Sequence, residues 1–160
     1  MEKNKTASTK VLNTFKVQPF ISRTPYQTRN LGIQLAKLLK PGDMVFLYGE
    51  VGSGKTIFCQ GVLRGFNKKD FVRSSSFMLV NEYQLNGLKL FHIDLYRLNS
   101  SNLWDIGIEE YLYSGENIAL VEWADKLMDS QDDNVWSIKF EILDAKRKII
   151  IEKKNENSIS

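Results

Sequence analysis

The chain has 160 residues but only one cysteine, Cys59, and one histidine, His92. A lone thiol cannot close an internal disulfide, so burial and hydrogen bonds must hold the fold, as in a reducing compartment. Cys59 stands in an apolar stretch and reads as a buried structural thiol. No apolar run approaches the roughly 20 residues that span a bilayer. The first residues lack the apolar segment of a secretory signal. These absences predict a cytoplasmic protein with no membrane partner. Charge excess is also slight, a net +3, and much of it lies in the lysines of "MEKNKTASTK" and "EKKNENSIS". So weak a basic balance does not argue for nucleic-acid binding, and no basic stripe or base-stacking motif stands out beyond the two ends.

What is present is an ordinary globular composition, 42% hydrophobic and 26% charged, with enough chain for one packed core. The polar ends bury too little to offset their ordering entropy. The expected organisation is a flexible leader over 1–18, a single domain over 19–152 and a flexible tail over 153–160. Within the domain, "FKVQPFIS" reads as a short strand ending near Pro19. Ser22 or Thr24 then caps a helix with Pro25 at an early position. That helix carries Leu31, Leu35, Leu38 and Leu39 at helical spacing and stops at Pro41-Gly42. "DMVFLYGE" reads as a buried strand and "KTIFCQGVLRGF" as a helix with Gly61 and Gly65 on one face. A strand in "FVRSSSFMLVNEYQL" and its return in "LKLFHIDLYRL" flank the turn signal Asn86-Gly87. "SSNLWDIGIEEYLYSG" reads as a helix capped by Ser100 or Ser101 and stopped by Gly115. "NIALVEW" is another buried strand, and "NVWSIKFEIL" with "KRKIIIEKK" forms a hairpin. The pattern predicts an α/β protein, a mixed parallel and antiparallel sheet flanked by helices.

Residues 49–56, "GEVGSGKT", fit the phosphate-loop pattern G-x-x-x-x-G-K-[ST] at Gly49, Gly54, Lys55 and Thr56. Glycines allow backbone N–H groups to approach phosphate oxygens, and the following helix adds its N-terminal partial charge. The loop residues Glu50, Val51, Gly52 and Ser53 would contribute to this cradle, followed by Ile57. Lys55 should reach the β- and γ-phosphates, and the Thr56 hydroxyl should bind Mg²⁺. An apolar strand leads in and a helix leads out, as the mechanism requires. The spacing is not that of a dinucleotide fold. This is a nucleoside triphosphate site within a P-loop NTPase-like three-layer fold.

Such a site needs an acid at the end of a neighbouring strand. Glu122 ends the apolar run "IALVE", as a metal-holding strand carboxylate does, and Asp94 ends the run "FHID". Successive strand residues alternate faces, so His92 and Asp94 share one. His92 is expected to act through another residue, orienting Asp94 or a neighbouring loop. Trp123 follows Glu122 and either packs on nucleotide or a partner or is a core or surface aromatic. "RSSSF" at 73–77 is a hydroxyl-rich loop that either senses the γ-phosphate or is an ordinary polar connection.

"GEVGSGKT", "RSSSFMLVNEY", "FHIDLYRL", "GIEEYL" and "LVEW", in that order, resemble the TsaE family over about residues 20–150. The resemblance implies a P-loop ATPase of bacterial tRNA threonylcarbamoyladenosine synthesis, using ATP and Mg²⁺. It further implies that the protein acts on a complex of TsaB and TsaD and meets tRNA only indirectly. Carried over residue by residue, Lys55 grips the phosphates, and Thr56 and Glu122 position the metal. Asp94 is needed for hydrolysis, and Thr28 lies near the base pocket. Ser76 falls in the switch loop, where the family usually has Ser-Pro-Thr and this chain has Ser74-Ser75-Ser76. Ile57 stands in place of a second threonine, and Gln27 in place of a glutamate.

Two rival readings remain. A small metabolite kinase needs an acceptor pocket and usually a lid of arginines. The six arginines here are dispersed, at 23, 29, 64, 73, 97 and 147. A scaffold that binds ATP without hydrolysing it is the other.

Overall fold

The computed structural model describes residues 19–68, 80–99, 103, 105–127 and 134–153. Contacts group them into two compact units, each assembled from separate stretches of chain. The first contains residues 19–39, 49–68 and 138–152, and the second contains 40–48, 80–99, 103, 105–127, 134–137 and Lys153. Among the described residues, no helix is long and apolar enough to cross a membrane.

In the first unit, strand β1 (Phe20–Ser22) leads into helix α1 (Pro25–Ala36). Pro19 therefore precedes the strand instead of ending it, since it has no N–H to give a ladder. Thr24 caps α1 by accepting from Gln27 N–H at 3.2 Å, and Pro25 opens the first turn. Gln27 Oε1 reaches back to Arg23 N–H at 2.7 Å, a reciprocal arrangement close to a capping box. An amide thus accepts here as a glutamate would. The helix ends at Ala36, short of Leu38 and Leu39, whose amides turn back onto the Leu35 carbonyl.

Helix α2 (Lys55–Gly65) packs against α1 through residues with little or no side chain. A Cβ on Gly61 would sit 2.0 Å from the Arg29 carbonyl oxygen, and one on Gly32 would sit 2.3 Å from that of Phe58. One on Gly65 would meet Ala36 Cβ at 2.4 Å. Backbones this close leave no room for any side chain. Cys59 is fully buried on α2, as expected. β1 pairs antiparallel with β7 (Lys146–Lys153), Phe20 opposite Ile149, and β7 neighbours β6 (Val135–Leu143). The turn between β6 and β7 passes through Asp144 in a left-handed conformation, φ 48°. Phe140 of β6 meets Phe58 of α2 edge-on, with ring centroids 5.7 Å apart.

The second unit holds β2 (Met44–Tyr48), β3 (Val80–Gln84), β4 (Lys89–Asp94) and β5 (Ile118–Glu122), in spatial order β2-β5-β4-β3. β5 runs parallel to both β2 and β4, while β3 is antiparallel to β4 across the Asn86-Gly87 turn. The mixed α/β character expected from the sequence is therefore observed. Every residue of β5 is buried, which accounts for its unbroken apolar run. Phe46, Phe91, Ile93, Leu95, Ala119 and Val121 build one core with Ile108 and Leu112 of helix α3 (Ile108–Leu112). This helix is shorter than its sequence pattern suggests. Gly107, at φ 69°, sits left-handed immediately before it and starts the helix later than expected. The expected caps Ser100 and Ser101 lie outside the described residues.

Candidate functional site

The phosphate loop joins β2 to α2, and its geometry can be built from residues 49–65 and the elements packed on them. Gly49 and Gly54 adopt φ of 148° and 106°, values that side-chain-bearing residues rarely reach. Crowding adds to the restriction at Gly49, where a Cβ would lie 2.8 Å from Ser53 Oγ and 2.9 Å from Phe140 Cβ. Ser53 is buried, and its N–H donates to the Glu50 carbonyl at 3.2 Å. This bond curls the loop on itself. Gly54 offers no capping side chain to α2, so the first-turn N–H groups point out of the helix end toward the loop. That end is a ready anion site in both hydrogen bonding and dipole.

Lys55 is buried to 4% exposure despite its charge. Its ammonium donates to the carbonyls of Gly49 at 2.5 Å and Glu50 at 2.9 Å, with Ser53 Oγ at 3.5 Å. Loop carbonyls thus solvate the cation. Thr56 is exposed at the start of the helix, as are Glu50, Val51 and Gly52 in the loop. Ile57 is half-buried behind them. Thr28 lies directly against the end of the loop. It is buried in α1, its Oγ1 is 2.7 Å from Ser22 Oγ, and its methyl group lies beneath Gly54. It supports the end of the loop through this methyl contact.

Arg147, on β7, escaped the sequence reading. Its Nε and Nη2 both donate to the Gly52 carbonyl, at 3.2 and 3.1 Å. Opposite ends of a peptide group point in opposite directions, so drawing this carbonyl outward directs the Ser53 N–H inward. The only sequence signal was an arginine amid "AKRKII", and nothing local tied it to a loop ninety-odd residues away.

The acidic residues belong to the second unit. Parallel pairing sets Asp94 of β4 directly beside Glu122 of β5, at the carboxyl ends where ligands gather in open α/β sheets. Glu122 is 2% exposed, and its Oε1 accepts a hydrogen bond of 2.8 Å from His92 Nε2, itself 4% exposed. The expectation that His92 orients Asp94 or a loop is therefore corrected to Glu122. His92 lies opposite Leu120, and Glu122 is the next residue on the same face, within reach of an imidazole. Asp94 is half-buried and turns the other way along the chain, accepting from the Tyr96 N–H at 2.9 Å. Trp123 follows Glu122 in the left-handed region at φ 61°, a conformation costly for a bulky residue. Its ring packs on Tyr96, with centroids 5.0 Å apart. Ser76 and the rest of the hydroxyl-rich loop lie outside the described residues.

A family model described as "Threonylcarbamoyl adenosine biosynthesis protein TsaE" matches residues 22–150. The chain belongs to the TsaE family. Among curated relatives, a Rickettsia felis protein named "tRNA threonylcarbamoyladenosine biosynthesis protein TsaE" is 32% identical over 137 residues, 83% of this chain and 79% of its own length. A Bacillus subtilis protein of the same name is 37% identical over 100 residues, 62% of each chain. The crystal structure of Bacillus subtilis YdiB superposes with a TM-score of 0.67 at 28% identity, covering 86% of this chain and 85% of that one. The fold is thus that of a solved relative, and TsaE membership places the chain in tRNA threonylcarbamoyladenosine biosynthesis.

Proposed function

We propose that this TsaE-family protein is a Mg²⁺-dependent P-loop ATPase of the cytoplasm that acts on a TsaB–TsaD complex to support its turnover. It does not itself transfer the threonylcarbamoyl group, and tRNA is met only through the complex. The observation that carries this reading is the phosphate loop, a curled backbone around a buried lysine ammonium at an uncapped helix N-terminus.

In this reading Lys55 binds the β- and γ-phosphates by charge-assisted hydrogen bonds, and the α2 N–H groups hold the remaining phosphate oxygens. The exposed Thr56 hydroxyl and the Glu122 carboxylate are hard oxygen donors of the kind Mg²⁺ prefers. Thr56 and Glu122 would hold the ion, which would supply charge neutralisation to the phosphates. His92 holds the Glu122 carboxylate in one orientation through Nε2. Asp94 orients the attacking water. Trp123, next to Glu122 in the chain, packs its ring on that of Tyr96, two residues after Asp94.

The test is ATP turnover by the purified protein with Mg²⁺, alone and then with TsaB and TsaD. Slow turnover that the pair accelerates is the expected result. Turnover indifferent to the pair returns the function to a kinase, and tight ATP binding without turnover under either condition returns it to a scaffold. Asp94→Asn is expected to lower turnover at least about tenfold with ATP affinity intact, since water activation and nucleotide binding use different groups. The asparagine Oδ1 still accepts from Tyr96 N–H, so the local turn survives the exchange. Normal hydrolysis by this variant would remove Asp94 from the mechanism.

A further inference from the structure

Lys126 lies four residues beyond Glu122, in a single 3₁₀ turn (Ala124–Lys126), and has no place in the function proposed above. Its ammonium donates to three backbone carbonyls of one short segment. Leu95 O accepts at 2.8 Å, Leu98 O at 2.9 Å, and Tyr96 O is the third. An ammonium has three N–H donors, and here each has a carbonyl. The segment it binds is the turn directly after Asp94. That turn is closed by Leu98 N–H to Leu95 O at 3.0 Å, and its Tyr96 N–H holds Asp94 Oδ1.

The clamp joins two strand ends. One side is the β4 exit carrying Asp94, and the other is the β5 exit carrying Glu122, since Lys126 follows Glu122 through left-handed Trp123. Leu95 N–H also donates to the Glu122 carbonyl at 3.2 Å, continuing the ladder one residue past Asp94. A surface lysine placed for solubility would leave its head in water. This one is half-buried and spends its charge on carbonyls that would otherwise need other donors.

We propose that Lys126 is a positioning residue for ATP hydrolysis: by tying the turn after Asp94 to the turn after Glu122, it fixes the spacing of the two carboxylates. This rests on the ATPase reading above. Lys126 touches neither carboxylate and need not touch nucleotide, so its loss should act on turnover and spare binding.

The experiment compares wild-type protein with Lys126→Met by ATP turnover, by calorimetric ATP binding and by amide hydrogen exchange. The expected result is a fall in kcat of about tenfold or more with ATP affinity within about threefold. Exchange over residues 95–98 should quicken by at least about tenfold, while that over α1 stays unchanged. Should the methionine variant fail to fold, Lys126→Gln, which keeps a donor for part of the carbonyl set, decides by the same readouts. Unchanged kcat overturns the proposal even if exchange quickens, because Lys126 is then structural only. Lowered kcat without faster exchange at 95–98 also overturns it. Wild-type protein that hydrolyses no ATP removes the ATPase reading itself, and this inference with it.

Discussion

The phosphate loop and the acid–imidazole pair are built by opposite means. The loop is a backbone device, since Gly49 and Gly54 shape it, Ser53 N–H curls it, and carbonyls hold Lys55. The pair of His92 and Glu122 is a side-chain device, two buried polar groups brought together by the parallel register of β4 and β5. A backbone device fails when side-chain atoms are added to it, and a side-chain device fails when they are taken away.

The largest effect should come from adding atoms where α2 meets α1, behind the loop's helix. Gly61→Ala drives a methyl group against the Arg29 carbonyl, which is backbone and cannot swing aside. Overpacking of this kind costs about 3 kcal/mol. For a chain of this size thermal melting should then show a Tm lower by roughly 6–12 °C. A Tm within a degree or two of wild type would mean that the two helices separate easily, and the contrast would be lost.

Next is Lys55→Ala, which removes a charge-assisted phosphate contact at a cost of about 1.5–3 kcal/mol. ATP affinity measured by calorimetry should weaken by roughly 10- to 100-fold, and unchanged affinity would sink the phosphate-loop assignment. For the side-chain device, His92→Ala withdraws a donor from the buried Glu122 carboxylate, costing about 1–3 kcal/mol. Denaturant unfolding should report that loss, with ATP affinity within a few-fold of wild type. If instead affinity collapses and stability holds, the imidazole belongs to nucleotide binding and the contrast needs redrawing.

The smallest effect is expected at Arg147. Its bonds to Gly52 are at the surface, so Arg147→Ala should cost about 1 kcal/mol or less. ATP affinity should fall only a few-fold, through a looser loop tip. A larger loss would show that the guanidinium itself meets the nucleotide.

These two devices were unequally legible in the sequence. The loop is contiguous, so the spacing of Gly49, Gly54, Lys55 and Thr56 carried it whole. β5 was equally plain, because burial on both faces leaves an unbroken apolar run ending in Glu122. The partner of His92 was not readable from alternation along one strand, which gives its face and not the strand beside it. Arg147 and Lys126 bond to backbone carbonyls, and a carbonyl has no letter in the sequence. The burial of Thr28 under Gly54 depends on how α1 crosses α2, which no local pattern gives. The overlong reading of α3 has a local cause, a single left-handed glycine within an apolar period. Two compact units interleaved along the chain leave no linker for composition to reveal.

The position of Lys55 carries a further consequence. With its ammonium already seated on the Gly49 and Glu50 carbonyls, the loop is its own first occupant. In the ATPase reading proposed above, an arriving phosphate would draw the ammonium off these carbonyls, trading carbonyl contacts for phosphate contacts. Such an exchange returns only the difference between two sets of bonds, which keeps capture reversible. The same carbonyl contacts, with the Ser53 N–H bond to Glu50, are the chain's own support for the curl.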